Sequence, residues 1–254
     1  MKIEKTNDLQ DEQLFDGPAN HLGRLGTHEE FGPWFHNLHL PGGEQTAPAH
    51  PLGDYPASAW AQIRPRLPED LQGWSVLNLG CNAGYFCLEL ARLGARVLGY
   101  DRDPHCVRQA QWAAELFGMG EQIKFRQMHV YEVARAPEHY DLVLFMGAFH
   151  ELRYPNLALD IMAERADKML IFQPFSSIAP FKIDEFSALQ TARLESLGFE
   201  VERAEESEIY HCRRPNSPWQ QRQSPGATEL AAAVGPRYRR IERRDTPAPG
   251  SMKN

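Results

Sequence analysis

The amino-acid sequence predicts an α/β fold, a mostly parallel seven-stranded sheet with a C-terminal antiparallel strand and helices on both faces. Short apolar runs alternate with longer helical segments from Trp74 onward, which is typical of a parallel sheet. The first apolar run ends in a glycine turn that opens a helix, LNLGCNAGYF at residues 77–86. Two short strand-like runs close the alternation, and we expect this hairpin to place one antiparallel strand at the end of the sheet.

The remaining elements follow in order along the chain. Residues 31–57 contain nine Pro and Gly residues, which predicts irregular chain, and a short helix is expected at Ser58–Arg66. The strands are predicted at Ser75–Leu79, Arg96–Tyr100, Gln122–Arg126, Asp141–Met146, Lys168–Phe172, Glu200–Ala204 and Glu208–Cys212. The helices are predicted at Tyr85–Leu93, Pro104–Phe117, Leu157–Ala166 and Ile183–Leu197. We therefore divide the chain into an N-terminal arm and cap segment (1–70), a ligand-binding domain (71–214) and a disordered basic tail (215–254).

Charge and cysteine content narrow the class of protein. Of 27 Lys/Arg and 34 Asp/Glu residues, the tail holds seven and three, so residues 1–214 keep 20 and 31, a net charge of −11. An acidic body argues against broad electrostatic capture of nucleic acid, although a local basic groove stays open. The four cysteines form no CxxC pair, and no apolar run is long enough for a membrane span or a signal peptide. We expect a cytoplasmic protein.

The glycine loop discriminates between nucleotides. A dinucleotide fingerprint, GxGxxG, would need glycine at positions 80, 82 and 85, but the chain has Gly80, Asn82 and Tyr85. A pyrophosphate requires the bare backbone of those glycines, so NAD and FAD are disfavoured, and no P-loop motif occurs. The spacing G-x-N-x-G instead suits S-adenosylmethionine (SAM), which has no phosphate and tolerates a wider turn. Asn readily adopts the left-handed conformation that such a turn needs.

An acidic residue follows the second predicted strand. Asp101, in LGYD, is placed to accept hydrogen bonds from both ribose hydroxyls, although a turn or helix-capping function is the alternative.

The motifs in combination resemble those of class I SAM-dependent methyltransferases, which have a Rossmann-like fold. They are LNLGCNAGYF, GARVLGYDRD, QMHVYEV and YDLVLFMGAFH, in this order. The narrower resemblance is to the group that converts tRNA wobble 5-hydroxyuridine to its methoxy or oxyacetic-acid form. It depends on the Trp34-Phe35 segment, WAQIRPRLP, the GCNAG loop and FMGAFHELRYP, and it spans roughly residues 31–205.

The resemblance implies positions for the cofactor. It places Gly80, Cys81 and Gly84, with Asn82 between them, under the methionine part of SAM. It places Asp101 at the ribose with Arg102 beside it. The other implied positions are Tyr131 and Glu132 at the adenine, Met146 at the base and reaction pocket, and Asn78 either in indirect support of the amino group or bonded to local backbone.

Two departures from the narrower group bear on the transferred group. Members that use carboxylated SAM hold its extra carboxylate with a lysine, a tyrosine and an arginine. His36 stands at the lysine position, His150 at the tyrosine position, and no arginine equivalent is evident. Ordinary SAM and transfer of a methyl group are therefore expected.

Candidates for chemistry lie after the fourth strand and in the cap segment. His150, Glu151 and His36 could bind or deprotonate the acceptor, and purely structural hydrogen bonds are the alternative. Trp34 and Phe35 form either a lid over the acceptor or anchors for the irregular segment. The histidines and Asp54 of the cap segment have too loose a spacing for a metal site, so no metal is expected.

The sequence thus predicts a SAM-dependent enzyme that methylates an oxygen. The acceptor is a tRNA 5-hydroxyuridine or a small molecule such as a sugar or secondary metabolite. The third hypothesis is a non-catalytic SAM-fold binding protein. The acceptor and the oligomeric state stay undetermined.

Overall fold

The computed structural model describes residues 25–147, 149–174, 183–203 and 208–215, with the backbone alone at residues 150 and 183–188. Its centre is a seven-stranded sheet in the order β3-β2-β1-β4-β5-β7-β6. The strands are β1 Ser75–Leu79, β2 Arg96–Asp101, β3 Ile123–Gln127, β4 Tyr140–Phe145, β5 Ala166–Phe172, β6 Glu200–Arg203 and β7 Tyr210–Arg213. The helices are α1 Ala57–Ile63, α2 Tyr85–Arg92, α3 Pro104–Leu116, α4 Pro155–Arg165 and α5 Ile183–Ser196. Short 3₁₀ helices lie at His28–Phe31, Arg64–Arg66, Val130–Arg135 and Phe149–Glu151.

The predicted fold class is confirmed. Strands β1 to β5 pair in parallel, and β7 pairs antiparallel with both β5 and β6. The antiparallel strand lies second from the edge, however, and β6 takes the edge itself. The burial of the two strands explains this order: Tyr210, His211 and Cys212 of β7 are buried, whereas β6 is mostly exposed and charged, as suits an edge strand.

Helices cover both faces of the sheet because successive strand side chains point to opposite sides. Leu77 and Leu79 of β1 belong to a core that includes Leu159 of α4 and Leu194 of α5. Asn78, between them, contacts Cys87 of α2 on the opposite side. We call these the α4 face and the α2 face.

Two helices begin or end at other residues than predicted because of a proline. Helix α4 begins at Pro155, two residues before the predicted start, because proline is well suited to the first helical turn, where its missing N–H is not needed. The helix predicted at Ser58–Arg66 is divided into α1 and a 3₁₀ turn at Arg64, since Pro65 cannot continue an α-helical hydrogen-bond ladder.

The cap segment, residues 25–70 of the described chain, is mostly irregular as predicted. Trp34 anchors it to α3: its Nε1 donates to His28 O (2.7 Å), and its ring lies 5.5 Å from that of Trp112. The first 24 residues and the predicted tail beyond Pro215 fall outside the described residues, so the domain boundaries stay predictions. Within the described ranges, none of the helices has both the length and the apolar character needed to cross a membrane.

Candidate cofactor and active site

The loop between β1 and α2 has the backbone that its sequence requires. Gly80, Asn82 and Gly84 have φ angles of 65°, 47° and 82°. Asn82 is the single non-glycine residue with positive φ in the part of the chain that is described, and its Oδ1 accepts from Ala83 N (2.8 Å). A short polar side chain that bonds its own loop is what makes this conformation accessible to asparagine.

Two glycines allow the loop to pack closely on the sheet. A Cβ at Gly84 would lie 3.1 Å from both Ala110 Cβ and Phe125 Cζ. A Cβ at Gly99 would lie 2.5 Å from Phe125 Cδ1 and 3.1 Å from Cys81 Sγ. The loop therefore rests against β2 and β3, and its outer side faces the crevice at the carboxyl ends of the strands.

Asp101 ties this loop to the end of β2. Its Oδ2 accepts from Asn82 N (2.8 Å), and its Oδ1 accepts from Asp103 N (2.9 Å). Burial raises the pKa of Asp101, and the two backbone N–H groups partly oppose that rise. Each carboxylate oxygen keeps a lone pair for a ribose hydroxyl. The helix-capping function belongs to Asp103, which accepts from His105 N (2.8 Å).

The side chains beneath the loop are buried. Asn78 Nδ2 donates to Cys87 Sγ (3.2 Å), while Asn78 Oδ1 has no hydrogen-bond partner within the described ranges. Cys81 N donates to Tyr100 O (3.0 Å). Burial first, and then Cys87 and Asp101, raise the pKa of the Cys81 thiol well above its usual value. Cys81 therefore packs as a neutral thiol, since a nucleophilic cysteine needs a lowered pKa.

Tyr131 and Glu132 lie in the 3₁₀ turn after β3, where both make local contacts. Glu132 Oε2 accepts from His129 N (2.8 Å) and caps the turn. Tyr131 Oη accepts from Tyr154 N (2.7 Å), and its ring stacks on His129 at 4.9 Å. These contacts fix the segment where the adenine was expected. Met146, which follows β4, is buried.

The segment after β4 reaches across to β2. Glu151 Oε2 accepts from Arg102 Nη2 (2.8 Å), and both side chains are about half exposed. The side chain of His150 lies outside the described residues, so its predicted function stays a prediction. The pair places Glu151 at the rim of the crevice.

A ring cluster of the cap segment covers the start of α2. We call Phe35, His36, His50 and Tyr55 the cap cluster. The ring of His36 lies 5.9 Å from Tyr55, 6.4 Å from Tyr85 and 6.1 Å from Phe86. The Tyr55 hydroxyl comes within 3.5 Å of where a Cβ at Gly147 would stand. The cluster thus spans from the glycine loop to the end of β4.

His36 is neutral in this cluster. Burial, and secondarily His50, lower the pKa of its imidazole to about 3. Its Nδ1 is buried and has no hydrogen-bond partner in the part of the chain that the structure describes. An imidazole with that pKa is a weak base at neutral pH, so of the two functions predicted for His36, deprotonating the acceptor is disfavoured and binding it by a hydrogen bond is left. Phe35, 41% exposed, packs edge-on against His50 at 4.9 Å.

Several other polar groups of the cap segment are paired. Asp54 Oδ1 accepts from Asn37 Nδ2 (2.8 Å) and contacts His39 Nε2 (2.9 Å). Across the described ranges, no group of three potential metal-ligating side chains occurs. A cavity of about 310 Å³ lies between the cap segment and α2, beside Asp54, Tyr85 and Arg92. It does not include the glycine loop or Asp101.

The residues present fit SAM. The loop has the positive φ angles and close packing that a backbone cradle needs, and Asp101 supplies a carboxylate for vicinal hydroxyls. Asn78 Oδ1 is an unpartnered acceptor two residues before the loop, as an ammonium group requires. Sequence reasoning assigned no site function to Tyr55 or Tyr85, whose rings lie beside that of His36. Their signal in the sequence is weak: each is an aromatic residue near the glycine loop or among Pro and Gly residues.

Comparison with known proteins supports this reading. Residues 76–167 match the family described as a methyltransferase domain. The ubiquinone biosynthesis O-methyltransferase of Methylobacterium sp. (strain 4-46) is 39% identical over 79 residues, which are 31% of this chain and 31% of that protein. The corresponding enzyme of Methylobacterium nodulans is 38% identical over 82 residues, 32% of each chain. The chain thus matches about a third of the length of these curated relatives, and their names give no support to a tRNA substrate.

A solved structure shows the same fold at low identity. The crystal structure of WbdD superposes with a TM-score of 0.56 at 18% identity, covering 75% of this chain and 47% of that one. Residues 76–167 thus match a methyltransferase-domain family and lie in a sheet with the Rossmann-like methyltransferase strand order, and the glycine loop with Asp101 forms a site whose residues fit S-adenosyl-L-methionine.

Proposed function

We propose that the protein transfers the methyl group of SAM to an oxygen of a small-molecule acceptor. The observation that carries the proposal is the hydrogen bond that Asn82 N donates to the Asp101 carboxylate, because it joins the group that would bind the ribose to a loop that lacks the glycine pattern of a pyrophosphate site. The bound cofactor supplies an activated methyl group on a sulfonium sulfur. The acceptor oxygen forms the new C–O bond, the C–S bond breaks with its electron pair on sulfur, and the hydroxyl proton leaves.

The chain's own residues position the acceptor and receive the proton. The cap cluster excludes water from the edge of the crevice, which favours an in-line displacement between aligned groups. His36, neutral and with a free Nδ1, binds the acceptor through a hydrogen bond. Glu151 at the rim, or His150 beside it, takes the proton when the acceptor is not already ionised.

The charge distribution favours a small molecule over tRNA. Residues 1–214 carry a net charge of −11. Two arginines that could contact phosphates are engaged elsewhere: Arg64 donates to Pro68 O and Glu69 O, and Arg66 donates to Gln62 O and pairs with Glu202. A tRNA wobble 5-hydroxyuridine is the second candidate, and FMGAFHELRYP is the feature that favours it.

Labelled SAM separates the hypotheses. The protein is incubated with methyl-labelled SAM and, in parallel, with a metabolite extract, with catechol and phenol, and with bulk tRNA. We expect label in the small-molecule fraction. Label confined to tRNA would establish the second candidate. Tight SAM binding without transfer to any acceptor would indicate a non-catalytic binding protein and refute the proposal.

A further inference from the structure

Gln173, directly after β5, has a buried polar atom without a partner among the described residues. The residue is 7% exposed, and no group in that part of the chain makes a hydrogen bond to its Oε1. Its backbone N donates to Phe145 O (2.9 Å), which fixes Gln173 beside the end of β4. Buried amide oxygens in folded proteins are almost always paired, because an unpaired one loses its hydration without compensation. The lack of a partner is shared with other buried atoms of the described residues, so it is the position of this atom at the carboxyl ends of the strands that points to a ligand.

Gln173 lies on the same face of the sheet as Asn78. Phe172 belongs to the core on the α4 face, so the next residue along the ladder points to the α2 face. On that face Asn78 of β1, Leu144 of β4 and Ile171 of β5 form one row of paired positions. Gln173 stands one step beyond this row, toward the carboxyl ends of the strands.

The cap cluster closes over this same end of β4. Tyr55 reaches Gly147, and His36 lies against Tyr55 with its Nδ1 unpartnered. Gln173 is held next to Met146 from the other side, through its bond to Phe145. Two buried polar side chains with free hydrogen-bonding atoms therefore flank the end of β4, one from the cap segment and one from the sheet.

We propose that Gln173 is an acceptor-binding residue that sets substrate specificity. An amide oxygen only accepts hydrogen bonds, so the substrate presents a donor to it, a hydroxyl or N–H adjacent to the oxygen that is methylated. This defines the substrate class as vicinal diols, catechols or hydroxylated rings with a neighbouring N–H. The inference rests on the proposed function and deepens it.

Gln190 provides the matched control. It is also buried, at 1% exposed, and its Oε1 likewise has no partner among the described residues, but it lies on α5, where its Nε2 donates to Asn156 Oδ1 (2.8 Å). Gln173→Leu and Gln190→Leu are compared with the parent protein in thermal unfolding, SAM binding, and methylation of catechol and phenol.

The first readout needs no substrate. Gln173→Leu replaces an unsatisfied amide by an apolar group, so we expect its unfolding midpoint to rise by roughly 2–4 °C with SAM affinity within twofold of the parent. Gln190→Leu loses a bond to Asn156, and its midpoint should fall. A fall for Gln173→Leu would show a structural function, and a tenfold loss of its SAM affinity would show a contribution to cofactor binding; either result would overturn the inference.

The second readout is specificity. The parent should prefer catechol to phenol by at least about tenfold in kcat/KM, and Gln173→Leu should lose that preference, whereas Gln190→Leu should keep it. An unchanged preference in Gln173→Leu overturns the inference. If the parent methylates no acceptor at all, the proposed function fails, and the unfolding and SAM-binding results alone decide whether Gln173 is a ligand-binding group.

Discussion

Replacing Asp101 by alanine removes the contact on which the cofactor assignment depends most. The carboxylate would accept from both ribose hydroxyls, and hydrogen bonds to a charged group contribute about 1.5–3 kcal/mol each. At the lower bound the two bonds amount to about 3 kcal/mol, which corresponds to roughly 100-fold in the dissociation constant. Loss of the bond from Asn82 N loosens the loop as well, so we expect SAM to bind at least 100-fold more weakly.

Isothermal titration calorimetry with SAM and with its demethylated product measures this loss. Asp103→Ala is the control, because Asp103 caps α3 and has no expected contact with ribose. That variant should lose about 1 kcal/mol of folding free energy and keep its SAM affinity.

The affinity for SAM should also fall as the pH is lowered. Because burial raises the pKa of Asp101, SAM binding should weaken on acidification at a higher pH than an ordinary aspartate would predict. Binding by Asp101→Ala within threefold of the parent would refute the assignment of the ribose site.

Three further predictions test the loop, the cap and the rim of the crevice. Gly84→Ala forces alanine into a left-handed conformation and places its Cβ 3.1 Å from two side chains, so the unfolding midpoint should fall. Gly118→Ala is the control, because Gly118 also has a positive φ but has open space around its Cβ position, and its midpoint should fall less. Equal falls in the two variants would contradict close packing of the loop. Between pH 6.5 and about 3 the unfolded chain protonates His36 while the folded protein does not, so stability should fall with decreasing pH by up to about 1.4 kcal/mol per unit. His36→Phe should flatten the pH dependence seen in urea denaturation, and an unchanged slope would refute the burial of a neutral imidazole. If Glu151 takes the proton, Glu151→Gln should lower kcat by roughly 100-fold or more, and an unchanged kcat would show that Glu151 takes no part in the chemistry. Arg102→Ala breaks the same ion pair, and because that pair is exposed, the free energy of unfolding should change by less than about 1 kcal/mol.

The sequence predicted those parts of the fold that depend on local pattern. Strand–helix alternation and the glycine turn are properties of neighbouring residues, and the fold class and the left-handed Asn82 follow from them. The position of β7 inside the sheet could not be predicted in this way, because it depends on which of two short strands buries its side chains. Such a choice is made by packing across the whole sheet.

The same distinction between local pattern and tertiary packing applies to the candidate site. Asp101 could be found because an acid at the end of the second strand is a local signal, although its bond to Asn82 appears only when β2 lies beside β1. The cap cluster could not be assembled from the sequence, since its rings meet the start of α2 through tertiary contacts. Trp34 and Phe35 illustrate this: the first anchors the chain to α3, and the second remains partly exposed in the cluster.

The unpaired polar atoms of the α2 face connect the cofactor and acceptor halves of the site. An acidic residue at position 78, which is buried, would place a carboxylate out of contact with water, and its charge would be costly in that setting. Asparagine avoids this cost, because its Nδ2 is satisfied by Cys87 and its Oδ1 stays free as a neutral acceptor. Gln173, directly after β5, is a second buried amide whose Oε1 has no partner among the described residues. We infer that this face recognises its ligands through neutral amide oxygens, and that Asp101 contributes the charge at the ribose.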